Sequence, residues 1–339
     1  MAIRVVVVGM GPRGQDWLRE IQKTSGYELV AGVDFNPAAL RQACDRGFVT
    51  EKQCFTQLAE ALDQSECDTV LVTTSPGNHF EPCELALSRG LAVMVEKPFT
   101  LCLREAVELV ALAEQKGATL IVTQNYRYMR SFRTARRLIS DGVLGSVGMV
   151  VCQYYRVPHA MSDSLAQLTH SILWGAGIHH LDAISYTLNK RITGVLAESF
   201  TMPYGRLPRG GSMQMLLSLE NGTHAVYSST YESSGHEFFE RGQEFYARYV
   251  GERATLHVFQ RWLILCKNGK LPRLIRRGPR TLTEERILLD QLERALVAGE
   301  EPDCSGRNNL QTMAVVEACI RSASERKWIN PQELLDEYR

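Results

Sequence analysis

The sequence predicts an α/β domain built on a parallel sheet, followed by an α+β domain with a large, mostly antiparallel open sheet. Three observations carry this reading. From Ile3 to Val122 strand-like and helical stretches alternate, which specifies parallel strands joined by crossover helices on both faces. Beyond Tyr126 strand-like stretches follow one another with few helices between them, which suits antiparallel pairing. The 339 residues also exceed the usual size of one domain. The expected division is into residues 1–123 and 124–339.

Residues 3–8 form a β-branched run, too short for a helix and too apolar for a half-exposed strand, so a central parallel strand is expected there. Trp17, Leu18 and Ile21 have helical spacing and place a helix over 13–24; residues 28–33 then form a second strand ending at Asp34. The alternation continues through a helix at 37–46, a strand at 69–73, a helix at 81–89, a strand at 92–95, a helix at 103–115 and a strand at 119–122. In the second domain a helix at 132–140 precedes strands at 147–155, 193–201, 212–219 and 223–231, then at 245–249, 254–258 and 262–265. Helical spacing recurs over 284–298 and 309–325, and the Lys-, Arg-, Gly- and Pro-rich interval 267–280 is expected to be an exposed loop.

Composition excludes several classes of function. Lys and Arg total 38 and Asp and Glu total 38, so no basic excess is available to hold nucleic acid or an anionic membrane surface. Apolar residues make up 45% and charged residues 22%, the balance of an ordinary globular protein with a sizeable core. Nine cysteines, an odd number without any Cys-x-x-Cys pair, fit reduced thiols in the cytoplasm and match no zinc-site spacing. The opening residues run straight into glycines without a cleavage site, so no secretion signal is expected. The longest apolar runs fall short of the ~20 residues of a membrane helix.

The chemistry is concentrated in a few motifs. Gly9-Met10-Gly11-Pro12-Arg13-Gly14 fits GxGxxG, and it follows a strand and opens a helix. In that place the first glycine permits the tight turn, the second lets backbone approach a pyrophosphate, the third allows close packing, and the helix N-terminus offers unpaired N–H groups. The first domain is therefore expected to be a Rossmann dinucleotide-binding domain. Asp34 ends the second strand where an acid hydrogen-bonds the adenosine ribose, which favours NAD over NADP, although Arg13 or Arg41 beside it would soften that preference. Glu96-Lys97-Pro98 follows the strand 92–95 at the carboxyl edge of the sheet, where a lysine ammonium can stabilise charge developing on an oxygen. Each signal has an ordinary alternative: a turn without ligand, an acid capping the next turn, a solvated lysine. His179 and Asp182 lie three apart, but His180 points elsewhere and spacing places no further ligand, so no metal is expected.

Together, the GxGxxG opening, Glu96-Lys97-Pro98 and Gly177-Ile178-His179-His180-Leu181-Asp182 resemble the Gfo/Idh/MocA oxidoreductase family over nearly the whole chain. Ser75-Pro76-Gly77-Asn78-His79 resembles the family's loop after its fourth strand, beside the cofactor. The resemblance thus adds Ser75, Asn78, His79, Glu96 and Lys97 to Pro12, Arg13 and the glycines as cofactor contacts. Gln124-Asn125-Tyr126-Arg127-Tyr128 resembles the domain junction, and 308–325 the closing helix that packs back toward the active site. In that family the lysine matching Lys97 contacts substrate, and the histidine matching His179 transfers a proton, usually with an aspartate four residues earlier.

Gly175 occupies that aspartate position, so the carboxylate that would orient the imidazole is gone. Histidine alone is adequate, since its pKa near ~6.5 suits proton exchange at neutral pH; His170, Asp163 or a water beside Gly175 are open replacements. Trp174, Tyr126 and Arg127 are candidates to line a sugar-sized pocket together with Lys97 and His179. The family pairs open sheet faces into a homodimer or homotetramer. Met213, Met215 and Leu217 would supply such a face, or be covered by helices of the same chain.

The expected function is hydride exchange between NAD and a secondary alcohol or ketone carbon of a sugar, polyol or related small molecule. Two other readings stay open because of Gly175: a catalytically silent NAD(P)-binding regulatory protein, and a non-redox enzyme such as a glycosidase or epimerase that oxidises its substrate transiently on bound NAD.

Overall fold

The computed structural model describes residues 2–157, 163–207, 210–233, 243–278 and 282–338. The chain forms two compact units, Met1–Gln124 with Leu282–Leu310, and Asn125–Thr281 with Gln311–Arg339. The segment 282–310, expected with the second domain, clusters with the first.

In the first unit six strands, β1 (Ile3–Val8), β2 (Tyr27–Val33), β3 (Cys54–Phe55), β4 (Thr69–Val72), β5 (Ala92–Val95) and β6 (Leu120–Val122), form one sheet in the order 3-2-1-4-5-6. Every pairing is parallel. Buried on both faces, β4, β5 and β6 are uninterrupted apolar or small-residue runs, as parallel strands between helices must be. The helices are α1 (Pro12–Lys23), α2 (Pro37–Asp45), α3 (Leu58–Gln64), α4 (Phe80–Ser88) and α5 (Leu103–Lys116). Pro12 and Pro37 open α1 and α2, where a missing N–H costs nothing, and the Asn36 side chain accepts from Ala38 N. Gly117, at φ +62°, ends α5 in the left-handed region. The elements without an expectation, β3 and α3, are two and seven residues long, too short to display a period.

In the second unit α6 (Arg130–Ser140) leads into β7 (Val147–Arg156), α7 (Asp163–Ala166), α8 (Ile178–Leu188), β8 (Ile192–Phe200), β9 (Ser212–Leu219) and β10 (Thr223–Thr230). Four further strands follow, β11 (Gln243–Gly251), β12 (Thr255–Phe259), β13 (Leu263–Cys266) and β14 (Arg273–Ile275). They form an eight-stranded sheet in the order 14-13-12-11-7-10-9-8. All pairings are antiparallel except that of β7 with β10. The interval 267–280, expected as loop, contains the exposed edge strand β14; an edge strand needs no apolar face, so its composition reads as loop.

Back in the first unit lies α9 (Glu284–Ala298), begun by the Thr283 cap on Arg286 N and closed by Gly299 at φ +67°. Then α10 (Gly306–Glu325) and α11 (Pro331–Asp336) complete the chain. Met213, Met215 and Leu217 are buried. Residues 311–325 of α10 reach this face at Met215: Cys319 Sγ lies 3.6 Å from Met215 Sδ, and the Ser322 hydroxyl accepts from Ala197 N at 2.9 Å. Of the two roles left open, cover by a helix of the same chain is observed at Met215. The opposite face of the sheet exposes Met149, Leu216 and Val226.

Candidate functional site

The GxGxxG turn sits where the strand order reverses, at the carboxyl ends of β1 and β4. Gly9 has φ +98°, and a Cβ on it would meet the Thr73 carbonyl carbon at 2.8 Å. A Cβ on Gly14 would run into the Gly9 carbonyl oxygen, so α1 reaches the turn only because residue 14 lacks one. Gly11 is different: a Cβ there meets nothing within 4 Å. It faces open space at the N-terminus of α1, where no side chain caps the helix. Backbone N–H groups free to meet a phosphate are what such a terminus offers.

A cleft of about 740 Å³ opens beside this turn. Gly9, Gly11, Pro12, Arg13 and Asp34 line it, with Ser75 and Asn78 on its other side. The Asp34 carboxylate is held in place by two backbone donors, Met10 N at 2.7 Å and Asn36 N at 2.8 Å. Asn78 Nδ2 donates to Ser75 Oγ at 3.0 Å, and the Thr73 hydroxyl donates to Gly9 O at 2.7 Å, so the loop after β4 is braced against the glycine turn. Phe35, 81% exposed, also lines the cleft. The dinucleotide implied by the motif fits this chain: the glycine cradle that side chains would fill, the uncapped helix end and the acid lie in one cleft.

Three expected cofactor contacts have other partners. Glu96 is buried, and its Oε1 accepts from Arg13 Nε at 2.6 Å and from the Trp17 indole at 2.7 Å. Arg13 also pairs with Glu285 at 2.9 Å. Its guanidinium thus bridges two carboxylates while still bordering the cleft. His79 is fully buried; its Nδ1 faces Pro98 O at 2.9 Å and its Nε2 faces Thr74 O at 3.1 Å. It joins the loop after β4 to the loop after β5 and does not line the cleft. Burial holds this imidazole below its usual range, against carbonyl contacts that favour the charged form.

Lys97, half-buried next to that network, precedes a cis peptide to Pro98. Burial pulls its ammonium down to about 8; the neighbouring Glu96 opposes the shift and Arg13 adds to it.

In the second unit a π-helical turn, Leu173–Gly177, runs into α8 and puts His179 in the first turn of that helix. The Tyr126 ring lies parallel on the His179 imidazole, with centroids 4.0 Å apart and planes 14° apart. His180 points elsewhere, as its place in the helix requires: its Nδ1 meets the Tyr227 hydroxyl at 2.8 Å and its ring stacks on Phe245. Trp174 is buried in the π-helical turn.

Arg127, a candidate to bind substrate, is buried and ion-paired. It donates to both oxygens of Asp182, Nε at 2.7 Å and Nη2 at 2.6 Å, and the Thr312 hydroxyl donates to the same carboxylate at 2.8 Å. The open replacements for the missing aspartate also resolve in part. His170 Nδ1 meets the Ser199 hydroxyl at 2.8 Å, and the side chain of Asp163 lies outside the described residues. A side chain that sequence reasoning missed stands at the position: a Cβ on Gly175 would run into the hydroxyl of Tyr231.

Among the described residues no helix is long and apolar enough to cross a membrane, and no three metal-ligating side chains converge. Residues 3–124 match an oxidoreductase family with an NAD-binding Rossmann fold, and residues 132–266 match the GFO/IDH/MocA C-terminal domain. A D-apiose dehydrogenase from Paraburkholderia graminis is 26% identical over 342 residues, spanning 97% of this chain and 89% of its own. The fold is shared with a crystal structure of an oxidoreductase from Agrobacterium radiobacter in complex with NAD+, L-tartaric acid and magnesium: TM-score 0.89, 20% identity, 98% of this chain and 100% of that one. An inositol dehydrogenase homolog from Azotobacter vinelandii, complexed with NADH and myo-inositol, gives TM-score 0.83 at 22% identity over 97% of this chain and 98% of its own.

Proposed function

The chain belongs to the Gfo/Idh/MocA oxidoreductase family, and on that premise we propose that it exchanges a hydride between NAD and a secondary alcohol or ketone carbon of a sugar, polyol or related small molecule. The observation that carries the reading is the cleft in which the uncapped N-terminus of α1, the Gly9–Gly14 turn and the Asp34 carboxylate come together. Gly9 and Gly11 seat the pyrophosphate, and Asp34 accepts from ribose hydroxyls. Ser75 and Asn78 border the same cleft. A carboxylate at Asp34 repels a 2′-phosphate, which favours NAD over NADP. When bound, the nicotinamide supplies the hydride chemistry, and the protein supplies orientation and electrostatics.

Lys97 in its ammonium form polarises the reacting oxygen and stabilises the negative charge that develops there. His179 exchanges the hydroxyl proton as general base or acid, with its ring plane fixed by the Tyr126 stack. Names among the similar proteins, D-apiose dehydrogenase and an inositol dehydrogenase homolog with myo-inositol, support a polyhydroxylated substrate. The exposed Met149, Leu216 and Val226 support self-association as a homodimer or homotetramer, and nine cysteines that form no disulfide among the described residues support a cytoplasmic location.

The test is paired titration of NAD(H) and NADP(H), then a screen of sugars, polyols and their keto forms for absorbance change at the reduced nicotinamide, with wild type and Lys97→Ala side by side. Tight NAD binding with turnover that Lys97→Ala lowers is the expected outcome. Tight binding without turnover across the panel replaces this reading with a regulatory protein or a non-redox enzyme that regenerates its cofactor. Turnover that survives in Lys97→Ala removes the role given to Lys97.

A further inference from the structure

The place where the family carries an aspartate ahead of its histidine is not empty in this protein. A Cβ built on Gly175 meets the Tyr231 hydroxyl well inside van der Waals contact, with Leu165 Cδ2 at 3.0 Å and Tyr231 Cζ at 3.2 Å. Residue 175 is therefore glycine because a tyrosine from another element fills the volume that any side chain would need. The two positions are a matched pair: an aspartate at 175 and a tyrosine at 231 cannot both be accommodated without displacement.

Tyr231 is also held firmly. It follows β10 directly, its backbone N–H donates to Gly211 O at 2.9 Å, and its ring meets the Tyr154 ring edge-on at 6.2 Å. On one side Thr230 shares a hydroxyl–hydroxyl bond with Ser212. On the other, the buried Glu232 carboxylate accepts from the backbone N–H groups of Arg206 and Leu207. Only 4% of Tyr231 is exposed. Gly175 itself lies in the π-helical turn that leads into α8, one turn ahead of His179, and π-helical turns recur at functional sites.

Resting on the dehydrogenase reading, we propose that Tyr231 is the positioning residue that replaces the missing carboxylate, its hydroxyl orienting the His179 imidazole for proton exchange. The replacement changes the chemistry as well as the shape. Burial keeps the Tyr231 phenol well above its ordinary range, so it remains neutral and both donates and accepts a hydrogen bond. A carboxylate there would stabilise the imidazolium and raise the histidine pKa; a neutral hydroxyl does not. The other groups facing this part of α8 are Tyr126, Tyr154 and His180, with Arg156 and the Asp182–Arg127 pair as the charged ones.

The experiment measures the His179 imidazole by NMR titration, assigned through His179→Asn, and the pH profile of kcat on whichever sugar or polyol the screen identifies. It compares wild type, Tyr231→Phe, Gly175→Asp and the double variant Gly175→Asp/Tyr231→Phe. Tyr231→Phe is expected to lower kcat about tenfold and shift the His179 titration while NAD affinity and Tm hold, because one oriented hydrogen bond is lost. Gly175→Asp alone lowers Tm through the clash. The double variant, relieved of the hydroxyl but still meeting Leu165 and the ring carbon, regains part of the lost Tm and turnover relative to Gly175→Asp, with the His179 midpoint and the acidic limb of kcat at higher pH. The proposal is overturned if Tyr231→Phe leaves the titration and kcat within about twofold of wild type, or if the double variant shows neither the recovery nor the upward shift. Should Tyr231→Phe itself lose stability, the double variant decides alone. Absence of turnover in the wild type would count against the dehydrogenase reading, and the NMR titration would still decide the role of Tyr231.

Discussion

Glu96 Oε1 and Arg13 Nε lie 2.6 Å apart, and this pair links the helix that opens at the glycine turn to the strand end that carries Lys97. The same oxygen accepts the Trp17 indole N–H, with Arg13 lying over the Trp17 ring. Glu96→Gln keeps the shape, but it replaces a charge-assisted bond with a neutral one and weakens the hold on both donors. We expect a loss of about 1–2 kcal/mol in denaturant unfolding, since Arg13 is about a third exposed and solvent screens part of the pair. Unchanged stability would show that the pair contributes nothing net.

The second prediction concerns pH. An ammonium whose pKa sits at about 8 loses its charge as the pH rises through that value. If Lys97 acts as the ammonium, kcat/KM falls above about pH 8. Lys97→Arg, which stays protonated, removes this basic limb even if it lowers the rate. Glu96 works to hold the ammonium charged, so Glu96→Gln moves the same limb to lower pH. The stability sign runs the other way. The unfolded lysine binds its proton up to its ordinary value of 10.5 and the folded one only to about 8, so burying the charge costs most below pH 8, and the cost disappears as pH rises from 8 to 10.5. Lys97→Met should therefore raise Tm at pH 7 while abolishing turnover, with a smaller gain at pH 10.

What could be read in advance follows from the range over which each constraint acts. The glycine turn was legible because its demands are local: a positive φ at Gly9 and a missing Cβ at Gly14 are met within a few residues of the strand that precedes them. Asp34 was legible because the length of one βαβ crossover sets its offset. Glu96 and His79 stand in the right motifs, but a motif does not say which member faces the cleft and which braces the loop behind it. The alternation of Met213, Met215 and Leu217 marks a buried face without naming the helix that buries it. Tyr231 carried no signal at all, since its meeting with Gly175 is made by the sheet of the second unit. The departure at Gly175 was visible; its cause was not.

Asp182 gives a stability prediction independent of catalysis. The carboxylate is 1% exposed and receives two bonds from Arg127 and one from Thr312. Arg127→Met leaves an uncompensated buried charge and should cost about 3–5 kcal/mol, whereas Arg127→Met combined with Asp182→Leu should recover much of that loss. Denaturant melts of the two single variants and the double variant give the coupling directly. Strict additivity would mean that the pair is not the source of the loss. NAD affinity should hold throughout, because no cofactor contact is altered.

The last prediction tests the acid at the end of β2. Asp34 is oriented before any ligand arrives: Met10 N holds one oxygen and Asn36 N the other. Each oxygen retains lone pairs for ribose hydroxyls, so the carboxylate pays little reorganisation on binding. Asp34→Ala removes the charge-assisted bonds to the ribose, each worth about 1.5–3 kcal/mol, and also leaves Met10 N without its acceptor in the glycine turn. The NAD dissociation constant should rise more than tenfold, while NADP, relieved of repulsion at its 2′-phosphate, should weaken less or gain. Asp34→Asn separates the two effects, since its amide oxygen can still accept from Met10 N. If Asn restores the fold of the turn but not the NAD preference, the preference lies in the charge of Asp34; if it restores both, the turn geometry sets the affinity. Equal affinities for NAD in wild type and Asp34→Ala would place the ribose elsewhere.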